Sequence, residues 1–295
     1  MNKERVFTAN IGAHTIQLET GKLAGQAGGA VVVRCGDVML LATATATKKP
    51  RVGIDFFPLS VDFEERLYAA GKIPGGFLKR EGRPTEAGTL LCRLTDRPLR
   101  PLFPKGMRND VQIAITALSA DQENFLDVLA IVGASAALTI SDIPWGGPIG
   151  AVRVGYIDGD YVFNPTASQM ENSLLDLRVA GTAEAILMVE AGASVVSEEL
   201  MLEGLKQAHE AMQDIIRLQL RMRDEVGKTK FDFIPAALSA DVRAKVVDAV
   251  GARVLEAMSS GSTKEERYSA LAELEESVVS GLTANVVNSS SVLPT

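Results

Sequence analysis

Two stretches of this sequence combine cations, an aromatic ring and turn-forming residues. The first runs from Gly71 to Glu86 and places Phe77 beside Lys79 and Arg80, among glycines and prolines that favour an ordered turn. An aromatic ring can stack on a base while neighbouring cations bind phosphate, which is what single-stranded nucleic acid requires. The alternative is a structural loop in which Phe77 fills the core and the cations face water.

The second stretch, Arg93–Phe103, holds three arginines at spacings of four and three residues: Arg93, Arg97 and Arg100. On a helix these side chains share one face. Asp96 can pair with one of them, which leaves an excess of guanidinium groups, and guanidinium suits bidentate contact with phosphate. The alternative is a helix surface stabilised by internal ion pairs.

The charge distribution supports an anion site in this part of the chain. A net charge of −7, taken alone, argues against nucleic-acid binding. Between Lys72 and Arg108, however, there are nine cations and three acids, so this segment carries +6 and the remainder of the chain −13. A local cationic segment in an acidic chain indicates a local anion site, although a solvated face with ion pairs gives the same pattern.

Other classes of protein are disfavoured by composition. Two cysteines without CxxC spacing and two histidines argue against a zinc site and favour a reducing compartment. The chain has no apolar run of about eighteen residues and no apolar leader at its start. These features predict a cytoplasmic protein without a membrane segment.

Hydrophobic periodicity predicts the elements that position the two stretches. We expect hairpins over 5–19 and 30–47, a strand over 56–63, a helix over 85–97, a strand over 111–118 and a helix over 124–140. Four further strands should lie between 149 and 191, with a hairpin turn rather than a metal loop at Asp158-Gly159-Asp160. One long helix is predicted over 197–226, and a charged, Ala-rich helical segment over 238–282.

The two stretches, in this order and at this separation, resemble the signature of the first RNase PH-like core domain in the polynucleotide phosphorylase family. Further similar blocks are Asp55–Leu59, Ile131–Leu138, Gly147–Gly155, Asn164–Thr166, Asp176–Thr182 and Met188–Ala191. The resemblance implies an α+β fold, in which an RNase PH-like core (a ribosomal protein S5 domain 2-like βαβ) precedes a small all-α domain. It divides the core into residues 1–145 and 146–228, followed by a helical linker domain at 236–284 and a disordered or truncated tail at 285–295.

The resemblance also implies a function. It predicts RNA degradation by 3′-to-5′ phosphorolysis, with release of nucleoside diphosphates and with this chain as the RNA-binding N-terminal half. The alternative is a non-catalytic RNA-binding or ring-assembly module of an RNA-degrading complex. Inorganic phosphate is the implied co-substrate, and the implied partners are single-stranded RNA, two further copies in a homotrimer and proteins of an RNA degradosome.

Site residues follow from the same resemblance. RNA-binding residues are predicted at Phe77, Leu78, Lys79, Arg80 and Arg83, while Arg93, Arg97 and Arg100 are predicted to face the reacting 3′ end. No catalytic residue and no metal ligand is assigned, because in this family the phosphate-binding turn and the Mg²⁺-binding carboxylates belong to a second core domain. The chain alone is therefore expected to be inactive.

The first stretch departs from the family pattern at two positions. The family's loop usually carries two aromatic residues and two arginines, but Leu78 and Lys79 replace one of each here. One stacking surface is lost, and lysine cannot form the bidentate fork of arginine. Both changes predict weaker RNA binding by this loop.

Overall fold

A computed structural model describes residues 4–51, 53–73, 84–233, 235, 240–260 and 263–290 of the chain, without the side chains of residues 260 and 282–290. The chain divides into two compact units, residues 1–235 and 236–295. No helix within the described ranges is long and apolar enough to cross a membrane. The first unit contains all the strands of the described residues and confirms the predicted α+β class.

The first unit contains a six-stranded sheet in the order β1-β2-β3-β4-β6-β5. Its strands are β1 (Arg5–Ile11), β2 (His14–Thr20), β3 (Gly29–Cys35), β4 (Val38–Ala46), β5 (Leu59–Glu65) and β6 (Val111–Ser119). The two predicted hairpins are present, and Gly12 (φ +56°) and Gly36 (φ +57°) form their turns with the positive φ that glycine tolerates.

A βαβ unit closes the sheet at one edge. Strand β5 runs parallel to β6, and helix α1 (Glu86–Leu99) lies in the connection between them. Helix α1 is the helix predicted over 85–97. Helix α2 (Leu126–Ile140) then packs on β3 and β4, and it is buried from Val128 to Ile140. Gly133 permits this contact, since an added Cβ would lie 2.8 Å from Cγ2 of Val33.

A second, antiparallel sheet follows in the order β10-β9-β7-β8. Its strands are β7 (Gly150–Ile157), β8 (Asp160–Phe163), β9 (Leu175–Gly181) and β10 (Ile186–Ala193), and the short helix α3 (Ala167–Met170) lies between β8 and β9. The predicted hairpin turn is confirmed: Asp158 (φ 52°) and Gly159 (φ 92°) both adopt positive φ between the paired residues Ile157 and Asp160.

The helix predicted over 197–226 is wrong as a single element. Two helices, α4 (Glu198–Ala211) and α5 (Gln213–Val226), are separated by Met212. They share β7 but otherwise pack on different elements: α4 lies also on β8 and β9, and α5 lies also on β1 and α2. Met212 also lies close to β7: an added Cβ on Gly150 would lie 2.8 Å from the Cβ of Met212.

The segment after α5 packs against the C-terminal end of α2. The amide of Phe231 donates to the carbonyl of Asp142, and the ammonium of Lys230 donates to the carbonyls of Leu138, Thr139 and Ser141 at the end of α2. A cation at this end satisfies carbonyls that the helix leaves unpaired. Burial lowers the pKa of Lys230 to about 8, with the nearby carboxylate of Asp142 opposing that shift.

The second unit consists, in its described part, of α6 (Ala240–Ser260) and α7 (Lys264–Ser290), which contact each other. These are the helices predicted for the linker domain. The tail predicted from residue 285 is helical up to Ser290, because the Thr283–Val287 sequence continues the helix without a glycine or proline. Residues 291–295 lie outside the described ranges.

Candidate functional site

Helix α1 presents the arginines of the second stretch. Thr85 caps it by accepting a hydrogen bond from the amide of Gly88 at 3.0 Å. Leu94 and Leu99 are buried in the core, so the opposite side of the helix faces solvent. The helix ends at Leu99 and a 3-10 helix, Arg100–Leu102, follows it. All three arginines are exposed, and Arg100 lies in the 3-10 helix rather than on α1 itself.

Arg100 is engaged in the fold. Its guanidinium forms a two-point contact with the carboxylate of Asp96, at 2.7 and 2.9 Å. It also donates to the carbonyls of Phe57 and Leu59, at 3.1 and 3.2 Å, and so caps the exposed edge of β5. The predicted pairing of Asp96 with one arginine is present. Most donors of Arg100 are therefore used within the protein, which leaves it poorly placed for a phosphate.

Arg97 points to the second sheet instead. Its Nη1 lies 3.1 Å from a carboxylate oxygen of Glu190 on β10. Glu190 also lies 3.5 Å from the guanidinium of Arg178 on β9. Glu190 therefore pairs with two arginines. These pairs lie at the surface, since 47% of the Glu190 side chain is exposed. The excess of guanidinium groups expected on α1 is consequently smaller than the sequence predicted.

Arg93 is the arginine of this helix that stays available. It is exposed, and within the described part of the chain it forms no ion pair or side-chain hydrogen bond. Its position one turn before Arg97 keeps it on the solvent side of α1. Of the three predicted substrate-facing residues, Arg93 therefore has the geometry closest to that of a phosphate ligand.

A network of ion pairs lies next to the α1 arginines, between α2 and the second sheet. Arg153 is 5% exposed and contacts both carboxylate oxygens of Asp176 at 2.7 Å. Its guanidinium carbon lies 3.5 Å from the centre of the Phe125 ring. Asp127 accepts a bond of 2.7 Å from Arg178.

Pairing with two carboxylates favours the charged form of Arg178. Burial lowers the pKa of Arg178, but Asp127 and Asp176 outweigh that effect and hold this pKa above its ordinary value. Arg178 contacts both Asp127 and Asp176, and it also contacts Glu190. Glu190 in turn pairs with Arg97. The network thus determines where the charge of Arg97 is held.

Sequence reasoning missed this network. The acids and arginines lie on α2, β7, β9 and β10, up to 93 residues from α1 in the chain. An isolated charged residue in a strand does not indicate its partner from the sequence. Arg153 and Arg178 become neighbours because β7 pairs with β9 in the sheet.

The predicted RNA-binding residues Phe77, Leu78, Lys79, Arg80 and Arg83 lie outside the described residues. The segment that precedes them ends at the far end of β5, where the amide of Lys72 donates to the carbonyl of Leu67. The cations of the Lys72–Arg108 segment that are described thus extend from that end, along α1, to the start of β6.

The described residues do not form a metal site. No group of three or more histidine, cysteine, aspartate or glutamate side chains in the described ranges is arranged to hold an ion. Asp127, Asp176 and Glu190 each pair with arginine, which leaves them unsuited to Mg²⁺.

Comparison with known proteins gives consistent matches. Residues 12–144 match domain 1 of the 3′ exoribonuclease family, and residues 147–211 match its domain 2. The chain is 50% identical over 275 residues to a polyribonucleotide nucleotidyltransferase of Thermomicrobium roseum, which covers 93% of the chain and 35% of that protein. It is 52% identical over 288 residues to the Herpetosiphon aurantiacus protein of the same name, covering 97% of the chain and 37% of the relative.

The chain thus spans little more than a third of the length of these curated relatives. Among solved structures, rice Rrp46 is similar with a TM-score of 0.57 and 14% identity, over 72% of this chain and 95% of that one. At this identity the likeness concerns the fold, and it supports the predicted RNase PH-like core.

Proposed function

The chain belongs to the 3′ exoribonuclease family, and from this premise we propose that it is the RNA-binding N-terminal half of a phosphorolytic 3′-to-5′ exoribonuclease. The observation that carries the proposal is the identity of about half of all aligned residues with polyribonucleotide nucleotidyltransferases, across nearly the whole chain. The proposed substrates are single-stranded RNA and inorganic phosphate.

In the proposed reaction, a phosphate oxygen attacks the phosphorus of the last internucleotide bond. The bond from that phosphorus to the 3′ oxygen breaks, a nucleoside diphosphate leaves, and the shortened RNA keeps a 3′ hydroxyl. Such chemistry depends mainly on positioning and on neutralising charge. We assign to this chain the holding of the RNA strand, by the cations of the first stretch and by Arg93, and no bond-breaking group.

Finer properties are proposed on the same basis. A homotrimer around a central pore, contacts with RNA-degradosome proteins, a cytoplasmic location and a need for Mg²⁺ all follow from family membership. The ligands for Mg²⁺ and for the attacking phosphate would lie outside this chain.

Turnover tests the proposal. A protein that extends this chain to the length of its relatives should release nucleoside diphosphates from poly(A) only when phosphate is present, whereas residues 1–295 alone should release none. Thin-layer chromatography of labelled products measures both. Diphosphate release by residues 1–295, with host enzyme excluded, would contradict the assigned role. If the extended protein binds RNA but never turns over, the non-catalytic alternative is favoured.

Glu190 offers a test of the α1 arginines. Glu190→Gln removes the carboxylate that holds Arg97, so Arg97 should become free to contact phosphate. We expect the variant to bind oligo(A) more tightly than wild type, with a salt dependence steeper by about 0.7. Fluorescence anisotropy at several salt concentrations measures this. The control is Glu4→Gln, which makes the same charge change at the exposed Lys22 pair next to β1, at the edge of the first sheet that lies away from β5. Equal behaviour of the two variants would exclude Arg97 as a phosphate ligand.

A further inference from the structure

A second site with nucleic-acid chemistry lies at the start of β5 and β6. A pocket of about 650 Å³ opens there between the end of β4 and the starts of these strands. Its lining includes Arg51, Phe56, Pro58, Ser60 and Gln112. We call it the Phe56 pocket. It lies at the end of the strands opposite to the one that leads into the first stretch.

The aromatic ring of the pocket is exposed. Phe56 keeps 61% of its surface in water, whereas its neighbour Phe57 packs on Phe103 with ring centres 4.7 Å apart. A ring with this exposure has a face available for stacking on a base. The two adjacent phenylalanines thus have different roles, since Phe57 anchors the segment and Phe56 is presented to solvent.

Arg51 lines the same pocket as the ring. The guanidinium of Arg51 is 61% exposed and uses one nitrogen on Asp110, at 3.3 Å, so further donors face outward. The amide of Arg51 donates to the carbonyl of Arg108, which fixes these two cationic segments side by side. Lys49 and Arg108 form no ion pair within the described residues. The charged residues of the lining are Arg51 and Asp110, so the exposed guanidinium of Arg51 is the group of this pocket that can meet a phosphate.

We propose that the Phe56 pocket binds one nucleotide of single-stranded RNA, with the base stacked on Phe56 and its phosphate on Arg51. An exposed ring beside a partly free guanidinium is the arrangement that binds such strands without regard to sequence. The hydroxyl of Ser60 and the amide of Gln112 supply polar groups for a ribose or a base edge. A volume of this size accommodates a nucleotide. The inference rests on the proposed function, because it adds a contact to the same RNA strand.

Two substitutions separate stacking from charge. Phe56→Leu should weaken oligo(A) binding by the chain roughly fivefold or more and leave its salt slope unchanged, because stacking releases no counterions. Arg51→Gln should reduce that slope by about 0.7. Tyr268→Leu and Arg217→Gln are matched controls, since Tyr268 is 63% exposed and Arg217 pairs with an exposed aspartate as Arg51 does. Both controls should bind like wild type.

Ultraviolet crosslinking gives an independent readout. Oligo(A) containing a photoreactive base should label the tryptic peptide of residues 52–66, which contains Phe56, and should not label it in Phe56→Leu. If both pocket variants bind like wild type while Lys79→Ala/Arg80→Ala binds weakly, the inference is wrong and the proposed function stands. If the wild-type chain binds no oligo(A), both are wrong for this chain. A change of oligomeric state without a change in RNA binding would assign the pocket to a protein contact and overturn the inference.

Discussion

Replacing Arg153 with Met should lower the free energy of unfolding of the first unit by about 3–5 kcal/mol. Arg153 is buried, it holds both carboxylate oxygens of Asp176, and its guanidinium lies on the ring of Phe125. Methionine fills similar space but leaves Asp176 and Asp127 with Arg178 as their shared cation. Removing one partner of a buried ion pair costs far more than the pair itself contributes, because a poorly compensated charge remains in the interior.

The single tryptophan of the chain makes this measurable. Trp145 lies in the first unit, where its indole N–H donates to the carbonyl of Leu99, so its fluorescence follows that unit during urea unfolding. The control is Arg217→Met, which breaks an exposed pair with Asp214 and should cost less than about 1 kcal/mol. A loss for Arg153→Met as small as that of the control would show that the network does not stabilise the fold.

Replacing Lys79 and Arg80 with alanine should weaken oligonucleotide binding about tenfold at low salt, taking about 0.7 kcal/mol for each exposed charge-assisted contact. The expectation comes from the sequence, since both residues lie outside the described ranges. Phosphate contacts carry no base information, so the loss should be equal for oligo(A), oligo(U) and oligo(C). Anisotropy titrations with the three oligonucleotides measure it. A loss confined to one sequence would assign the two cations to base recognition.

Phe77→Ala is the matched change in the same stretch. It removes a stacking ring and no charge, so we expect weaker binding by about 1–3 kcal/mol per stacked base with an unchanged salt dependence. Equal salt slopes for Phe77→Ala and wild type, together with a lower affinity, would separate stacking from charge. If Phe77→Ala unfolds the first unit, the alternative of a core-filling Phe77 is favoured.

Local patterns were sufficient for most of the fold. Alternation and turn residues predicted both hairpins of the first sheet, and the Thr85 cap predicted the start of α1. The break at Met212 was not predictable, because methionine suits a helix interior and its tight contact with Gly150 of β7 joins residues far apart in the chain. Periodicity reports which side of a helix is buried, but it does not report that α5 packs also on β1 and α2, which α4 does not.

The candidate site was predictable only in part. Spacing placed the three arginines on the exposed side of α1, yet their availability depends on acids elsewhere in the chain. Asp96 lies one turn from Arg100 and was visible in the sequence, whereas Glu190 reaches Arg97 from β10. The Phe56 pocket had no sequence signal, since it requires the ends of three strands to meet.

Salt dependence of RNA binding tests the central claim most directly. If this chain holds a single RNA strand through phosphate contacts, the logarithm of the binding constant for oligo(A) should fall linearly with the logarithm of salt concentration. For Lys79→Ala/Arg80→Ala the slope should be shallower than that of wild type by about 1.4, or roughly 0.7 for each lost contact. The same slope for wild type and the double variant would contradict the claim, because those cations would then face water without touching RNA.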